Sequence, residues 1–194
     1  YAHSAGARAH MFRHNDLNHL ESRIRRHGRG IVAVDAVYST LGSIAPLPEL
    51  SDLCERYDCP LVVDESHSLG IYGPGGAGLA AEHGVTHKIS FLTASLAKAF
   101  ASRAGLVCGN ARYLSYFPWE SRPAIFSTML EPHDIARIHT TLDVVQEEDW
   151  RRSRVKETAR RLRHDLVVEG YMSAALSRSP IVPLLAGSEE NTIA

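Results

Sequence analysis

Leu61-Val62-Val63-Asp64-Glu65-Ser66-His67 is the most informative run of this sequence, because three aliphatic residues end on a carboxylate and polar side chains follow at once. Residues 31–35 share this design and also close on an aspartate. Short aliphatic, β-branched runs of this kind are typical of strands buried within a parallel sheet. The sequence therefore predicts two buried parallel strands whose carboxyl ends carry Asp35 and Asp64.

The segment between these strands has the pattern of an amphipathic helix. Pro48 stands in its first turn, where a missing backbone N–H is tolerated. Apolar residues then recur at helical spacing, at Leu50, Leu53, Cys54 and Tyr57. Strand, helix and strand form a βαβ unit, for which a right-handed crossover is expected. With further strand candidates at 89–92 and 106–108, the fold class is α/β, a mostly parallel sheet flanked by helices.

Composition argues against several function classes. The chain has 194 residues, of which 44% are hydrophobic and 22% charged, as is ordinary for a globular protein. Its 21 basic and 22 acidic side chains leave a net charge of -1, so no nucleic-acid partner is expected. No apolar run reaches the length of a membrane span, and the start of the chain lacks a signal-peptide pattern. Three cysteines without a CxxC pair predict inert packing residues and no metal site, and we expect a cytoplasmic protein.

The second half of the chain has a helical pattern. Apolar residues lie at helical spacing between 132 and 169, a span too long for one helix of a small domain, so a break is predicted near Trp150. The arginines between 151 and 163 alternate with acidic residues and predict a solvated helix face. Residues 181–185 predict a further strand. We therefore expect part of a large domain at 1–130, linking helices at 131–170 and the start of a small domain at 171–194.

Amines are scarce in this sequence, because only Lys88, Lys98 and Lys156 among the 21 cations are lysines. Lys98 follows a strand candidate and lies in the alanine-rich, otherwise uncharged stretch 94–102. We expect its ammonium group to be partly desolvated, which disfavours the charged form. The neutral amine is a nucleophile toward carbonyl groups.

Asp64 and His67 add two further groups at the ends of the predicted strands, where parallel sheets bind their ligands. A carboxylate at the end of a buried strand needs a cation or several hydrogen bonds to stay ionised. Taken alone, Asp64 is better explained as a residue that caps the next turn. Together with His67 and Lys98, however, it completes the set that a pyridoxal phosphate (PLP) site requires: a carboxylate for the ring nitrogen, a histidine beside the ring and an amine for the Schiff base.

Two other chemistries fit the sequence less well. The glycine-rich segment 73–78 lacks the GK[ST] ending of a phosphate-binding loop and is interpreted as an ordinary loop. A Ser-His-Asp hydrolase would need a GxSxG elbow, which the sequence does not contain.

Five motifs occur in a fixed order along the chain: VYS at 37–39, IAPL at 44–47, VDESHSLG at 63–70, GAGL at 76–79 and TASLAK at 93–98. In this order they resemble the α-oxoamine synthases, a family of fold type I PLP-dependent transferases that condense an amino acid with an acyl-CoA. The residues of these motifs are most similar to those of the quorum-sensing synthases that make long-chain aminoketone autoinducers. The resemblance implies the large PLP-binding domain of that fold, incomplete at both ends.

The resemblance also implies a role for each matching residue. Lys98 would be the Schiff-base lysine and Asp64 the partner of the pyridine nitrogen. His67 would lie beside the ring hydroxyl with Ser39 close by, and Ser95 would contact the cofactor phosphate. Lys98 would then move the α-proton of the amino acid, and the resulting carbanion would attack the acyl thioester, releasing CoA and then carbon dioxide.

A homodimer is implied as well, since Ser127 and Thr128 match a segment that in such enzymes reaches the phosphate of the neighbouring subunit. The resemblance implies an acidic residue and glycines at positions where this chain has Thr40, Leu41 and Ala101. The substrates of other branches of the family are therefore a weak guide to the substrate of this protein. The alternatives are a housekeeping acyl-CoA:amino acid acyltransferase, of the glycine or 8-amino-7-oxononanoate synthase type, and a non-catalytic fragment or scaffold subunit.

Overall fold

The computed structural model describes residues 5–172 and 178–188, so the predicted small-domain start at 171–194 lies partly outside the described residues. The strands in this part of the chain are β1 (Val32–Asp35), β2 (Leu61–Asp64), β3 (Phe91–Ser95) and β4 (Gly105–Gly109). They form one sheet in the order β1-β2-β3-β4. β1 and β3 run parallel to β2, whereas β4 runs antiparallel to β3. The predicted mostly parallel sheet is therefore confirmed.

Two helices pack against the sheet and form the main hydrophobic core with it. Helices α1 (Leu17–His27) and α2 (Leu47–Arg56) contact each other, and α2 begins with proline in its first turn as predicted. Leu50, Leu53 and Cys54 of α2 are buried together with Val34 and Val63 of the strands. The apolar stripe read from the sequence is thus the face that α2 turns toward the sheet.

The remaining helices follow the last strands and the turn after β2. Short helices are α3 (Leu79–Glu82), α4 (Ala111–Leu114), α5 (Phe117–Glu120) and α6 (Arg122–Phe126), and the long ones are α7 (Pro132–Glu147) and α8 (Asp149–Val168). The break between α7 and α8 falls at Glu148, close to the predicted position at Trp150. No helix within the described ranges is both long and apolar enough to cross a membrane.

The strand bounds differ from the prediction at two places. Ile31 is 71% exposed and precedes β1, and Ala33 within β1 is exposed as well, so the predicted burial of the run 31–35 was wrong at these two residues. The candidate at 89–92 was placed too early, because Ile89 ends the short 3-10 turn Thr86–Lys88 and β3 starts at Phe91. The small polar residues at the end of β3 concealed its extension to Ser95.

The predicted strand at 181–185 is not formed. Pro180 and Pro183 lack the backbone N–H that a strand ladder needs, which explains the irregular backbone. Instead, this segment lies against the turn after β1, where a Cβ on Gly42 would meet the Ile181 carbonyl oxygen at 2.8 Å.

Arg152 and Cys108 also depart from the predicted exposure. Arg152 is only 7% exposed, because it pairs with Asp149 at 2.6 Å and donates to the Val145 carbonyl, so the solvated face predicted for the arginines does not include it. Cys108 is exposed on β4, whereas Cys54 and Cys59 are buried as expected of packing residues. Burial raises the pKa of the Cys54 thiol to about 12, which keeps that sulfur protonated and unreactive.

Candidate active site

The carboxyl ends of three strands meet at one edge of the sheet. Asp35 at the end of β1 is in register with Asp64 at the end of β2, and Asp64 is in register with Thr93 of β3. Parallel pairing places these residues side by side, since strands that run the same way end at the same edge. The polar groups that the sequence puts after separate strands are therefore neighbours in space.

Asp64 is held by one hydrogen bond to each carboxylate oxygen. Its Oδ1 accepts from the backbone N–H of Ser66 and its Oδ2 accepts from the Thr93 hydroxyl, both at 2.8 Å. The side chain is half-buried. A carboxylate accepts up to about four hydrogen bonds, so Asp64 keeps acceptor capacity for a further donor at this edge.

The loop that carries Lys98 is tied to the loop after Asp64. The backbone N–H of Ser95 donates to the Ser66 hydroxyl oxygen at 2.7 Å, which joins the two loops directly. Beyond Ser95, Leu96 and Phe100 are buried and anchor the loop on either side of Lys98. The Asp64 and Lys98 segments are therefore held as one unit at the end of β2 and β3.

Lys98 itself is exposed, so the predicted partial desolvation of its ammonium group was wrong for the described structure. Anchoring by Leu96 and Phe100 buries the neighbours of Lys98 rather than Lys98. Ala101 closes this turn with its N–H on the Lys98 carbonyl oxygen at 3.1 Å and has a φ of 47°. This is the left-handed region that favours glycine, so alanine is strained at this position.

The three lysines have different surroundings. Lys88 donates to Asp52 and Glu55, each at 2.7 Å, and these hydrogen bonds, Asp52 first, raise the pKa of its amine. The ammonium nitrogen of Lys156 lies 4.8 Å from the centre of the Tyr72 ring. Among residues 5–172 and 178–188, no ion pair or side-chain hydrogen bond engages the amine of Lys98, which leaves it accessible to an incoming carbonyl group.

Asp35 introduces a second carboxyl group beside Asp64. Its pKa is raised chiefly by burial and further by the neighbouring charge of Asp64, while His67 opposes the shift. His67 follows Asp64 by three residues in the turn after β2, and its role beside the ring stays a prediction. The sequence pointed to Asp35 as a strand end but assigned it no role.

Asp35→Asn is expected to raise thermal stability at neutral pH. Because the folded-state pKa of Asp35 is raised, its ionisation weakens the fold as the pH rises from 3.8, the usual aspartate value, through the raised pKa. The substitution removes this cost, so the gain in Tm is largest at neutral pH and fades in acid. Thermal unfolding followed by circular dichroism from acidic to neutral pH checks this.

Asp143→Asn is the matched control, since the Asp143 side chain is 56% exposed on α7. We expect its Tm difference from wild type to stay small at every pH. A gain for Asp35→Asn that is equal in acid and at neutral pH would contradict the raised pKa of Asp35.

Ser39 lies in a tight turn just after β1, at the same edge of the sheet. Val37 and Ile44 form a bridge at the base of this turn, and the Tyr38 N–H donates to the Ser43 carbonyl oxygen at 2.9 Å. Ser39 is exposed at the tip. The fold thus gathers Ser39, Asp64 and the Ser95–Lys98 loop at strand ends of one sheet.

Ser127 and Thr128 are predicted site residues that follow a helix rather than a strand of the sheet. They follow α6, are exposed, and no side-chain hydrogen bond within the described ranges joins them to the cluster. Their surroundings are apolar and exposed, with Trp119, Phe126 and Met129 each at least 79% accessible.

One residue of this region was given no role by the sequence analysis. Glu65 is buried next to Asp64 and binds backbone groups of the segment Gly78–Ala80. Two sequence features together could have pointed to Glu65. It is a charged residue directly after a buried strand, and the glycine-rich segment 73–78 follows it.

Comparison with known proteins assigns the whole chain to one protein family. The model for aminotransferases of class I and II matches residues 1–194. The chain belongs to the aminotransferase class I and II family. The resemblance to the α-oxoamine synthases is also confirmed, because the curated relatives include an autoinducer synthase and 8-amino-7-oxononanoate synthases.

The CAI-1 autoinducer synthase of Vibrio campbellii is 45% identical over 189 residues, 97% of this chain and 48% of the relative. A putative 8-amino-7-oxononanoate synthase of Halalkalibacterium halodurans is 38% identical over 94% of this chain and 46% of the relative. The chain therefore spans about half the length of these curated relatives.

Solved structures give the same fold. A serine palmitoyltransferase variant from S. paucimobilis with a bound PLP–myriocin aldimine superposes with a TM-score of 0.88 at 29% identity, covering 95% of this chain and 49% of that one. The serine palmitoyltransferase of Sphingomonas wittichii gives a TM-score of 0.84 at 27% identity, covering 89% and 44%. The predicted fold, the PLP-binding transferase large domain, is thereby confirmed.

Proposed function

We propose that the protein carrying this chain binds PLP at the β1–β3 edge and condenses an amino acid with an acyl-CoA. One observation carries the proposal: the loops bearing Asp64 and Lys98 are joined at the ends of neighbouring parallel strands, and Lys98 is the lysine whose amine is accessible there. The donor set fits the cofactor, because it offers an amine, a carboxylate and serine hydroxyls at one edge.

When bound, PLP supplies a conjugated ring that takes up the electron pair left on the amino-acid α-carbon. In this proposal Asp64 holds a proton on the ring nitrogen, and its two fixed oxygens keep the acceptor in place. Lys98 would hold the cofactor through its amine and, when that amine is free, would move the α-proton. His67 and Ser39 would lie beside the ring, and Ser95 would contact the phosphate.

The favoured product is a long-chain aminoketone of the signalling type. Support comes from the identity of 45% to a CAI-1 autoinducer synthase, compared with 38% to a putative 8-amino-7-oxononanoate synthase. A housekeeping acyltransferase is the second candidate and is favoured by the repeated occurrence of 8-amino-7-oxononanoate synthases among the relatives. A non-catalytic fragment is disfavoured by the presence of Lys98 and Asp64.

The proposal includes a homodimer. Ser127 and Thr128 lie on an exposed segment beside Trp119, Phe126 and Met129, and apolar groups exposed in this way are typical of an interface. In a dimer, these hydroxyl groups would reach the cofactor phosphate of the partner subunit, as the resemblance to the family implies.

Substrate preference separates the two candidate products. The full-length protein is supplied with PLP, with acyl-CoAs from acetyl to long-chain and with several amino acids, and release of free CoA thiol is followed. We expect at least a tenfold preference in kcat/KM for medium or long acyl chains over acetyl-CoA. Preference for acetyl-CoA with glycine would overturn the signal-synthase assignment, and Lys98→Ala serves as the blank for thiol released without condensation.

A further inference from the structure

Glu65 is a charged residue in the core of the site, with only 3% of its surface exposed. Its carboxylate accepts hydrogen bonds from the backbone N–H groups of Leu79 at 3.0 Å and Ala80 at 2.8 Å, and from the hydroxyl of Ser68. Burying an ionised carboxylate is costly unless such donors replace water. The two backbone N–H groups and the Ser68 hydroxyl therefore replace water around the buried carboxyl group of Glu65.

The glycine-rich segment is shaped around this carboxylate. Gly78 has a φ of 99°, and a Cβ on it would lie 2.7 Å from Oε2 of Glu65. A side chain at this position would be strained and would also displace the carboxylate. The segment 73–78, which the sequence analysis left as a loop, thus lets the backbone of Gly78–Ala80 approach Glu65.

Glu65 is fixed on its other side by the sheet. Its backbone N–H donates to the carbonyl oxygen of Thr93 at 2.7 Å, and the same Thr93 donates its hydroxyl to Asp64. Its carbonyl oxygen accepts from the N–H of Ser68 at 3.0 Å, which closes the turn that contains His67. One residue therefore joins β3, the start of α3 and the turn between Asp64 and Ser68.

We propose that Glu65 is a positioning residue for the cofactor site. Its side chain, bound to the backbone N–H groups of Leu79 and Ala80, sets the positions of Asp64 and His67 at the sheet edge. The proposal rests on the proposed function of that edge as a PLP site, but the placement of His67 can be measured without the cofactor.

Glu65→Gln is the principal variant, because it keeps the size of the side chain and replaces one acceptor oxygen by an NH2 group that would face N–H donors. In the full-length protein without PLP, we expect the NMR signals of the His67 ring protons to shift. On addition of PLP, binding followed by absorbance should be at least tenfold weaker than in wild type. Glu65→Asp keeps the charge and should recover part of both properties.

Leu53→Ala is the control, because it removes a buried side chain of α2 and lowers the Tm without touching this turn. It should leave the His67 signals and the PLP affinity unchanged. Gly78→Ala, which displaces the carboxylate from the other side, should repeat the His67 shift if Glu65→Gln does not fold.

Wild-type His67 signals and PLP affinity in the folded Glu65 and Gly78 variants would overturn the proposal. Failure of the wild-type protein to bind PLP would instead refute the proposed function, while the His67 signals would still decide the role of Glu65.

Discussion

Lys98→Ala is expected to abolish covalent attachment of PLP and to lower the condensation rate by about 10³-fold. The amine of Lys98 is the accessible one at the sheet edge, and the substitution removes both the attachment point and the group that moves the α-proton. Borohydride reduction of the PLP-loaded, full-length protein followed by peptide mapping measures the first effect. Release of CoA thiol measures the second.

Lys88→Ala and Lys156→Ala are the matched controls, since their ammonium groups lie against Asp52 and Glu55 and against the Tyr72 ring. Both should keep the reduced label on the peptide that contains Lys98. A label found on Lys88 or Lys156 in the wild-type protein, or no label at all, would remove the basis of the proposed function.

The central part of the fold could be predicted from sequence because burial leaves a clear pattern there. β2 has the bounds that its aliphatic run and terminal aspartate predict, and α2 buries Leu50, Leu53 and Cys54 as their spacing requires. Both elements contribute to one core, where local pattern and tertiary packing agree. The position of Asp64 at the carboxyl end of a parallel strand follows from this agreement.

Features that depend on distant parts of the chain could not be predicted in this way. The antiparallel direction of β4 is a property of its pairing with β3 and has no local signature. Arg152 is buried because Asp149 and the Val145 carbonyl oxygen take up its donors, a compensation that charge patterning does not reveal. The exposure of Lys98 likewise reflects which neighbours anchor its loop, and the uncharged sequence around it suggested the opposite.

The role of Glu65 shows the same limit within the site. The sequence places a second acidic residue after Asp64, but only the fold brings Gly78 next to it. Residues that touch a ligand tend to carry recognisable chemistry, whereas residues that hold them in place are recognised by their contacts.

Asp64→Asn is expected to lower the condensation rate by about 10²-fold or more while changing the Tm little. The asparagine oxygen can still accept from the Ser66 N–H, and its NH2 group can donate to the Thr93 hydroxyl oxygen, so both contacts of the aspartate can be kept. What is lost is the negative charge that would hold a proton on the ring nitrogen. Steady-state thiol release and the absorbance spectrum of bound PLP as a function of pH measure this loss.

Thr93→Val is the control for Asp64→Asn, because it removes the hydroxyl donor at 2.8 Å and leaves the charge of Asp64 in place. If charge dominates, Thr93→Val should cost much less activity than Asp64→Asn and should keep the wild-type spectrum. If hydrogen-bonded geometry dominates, the order is reversed. A wild-type rate and spectrum in Asp64→Asn would mean that another group supports the ring nitrogen, and the neighbouring Asp35 would be the residue to test next, since it is in register with Asp64 at the same sheet edge.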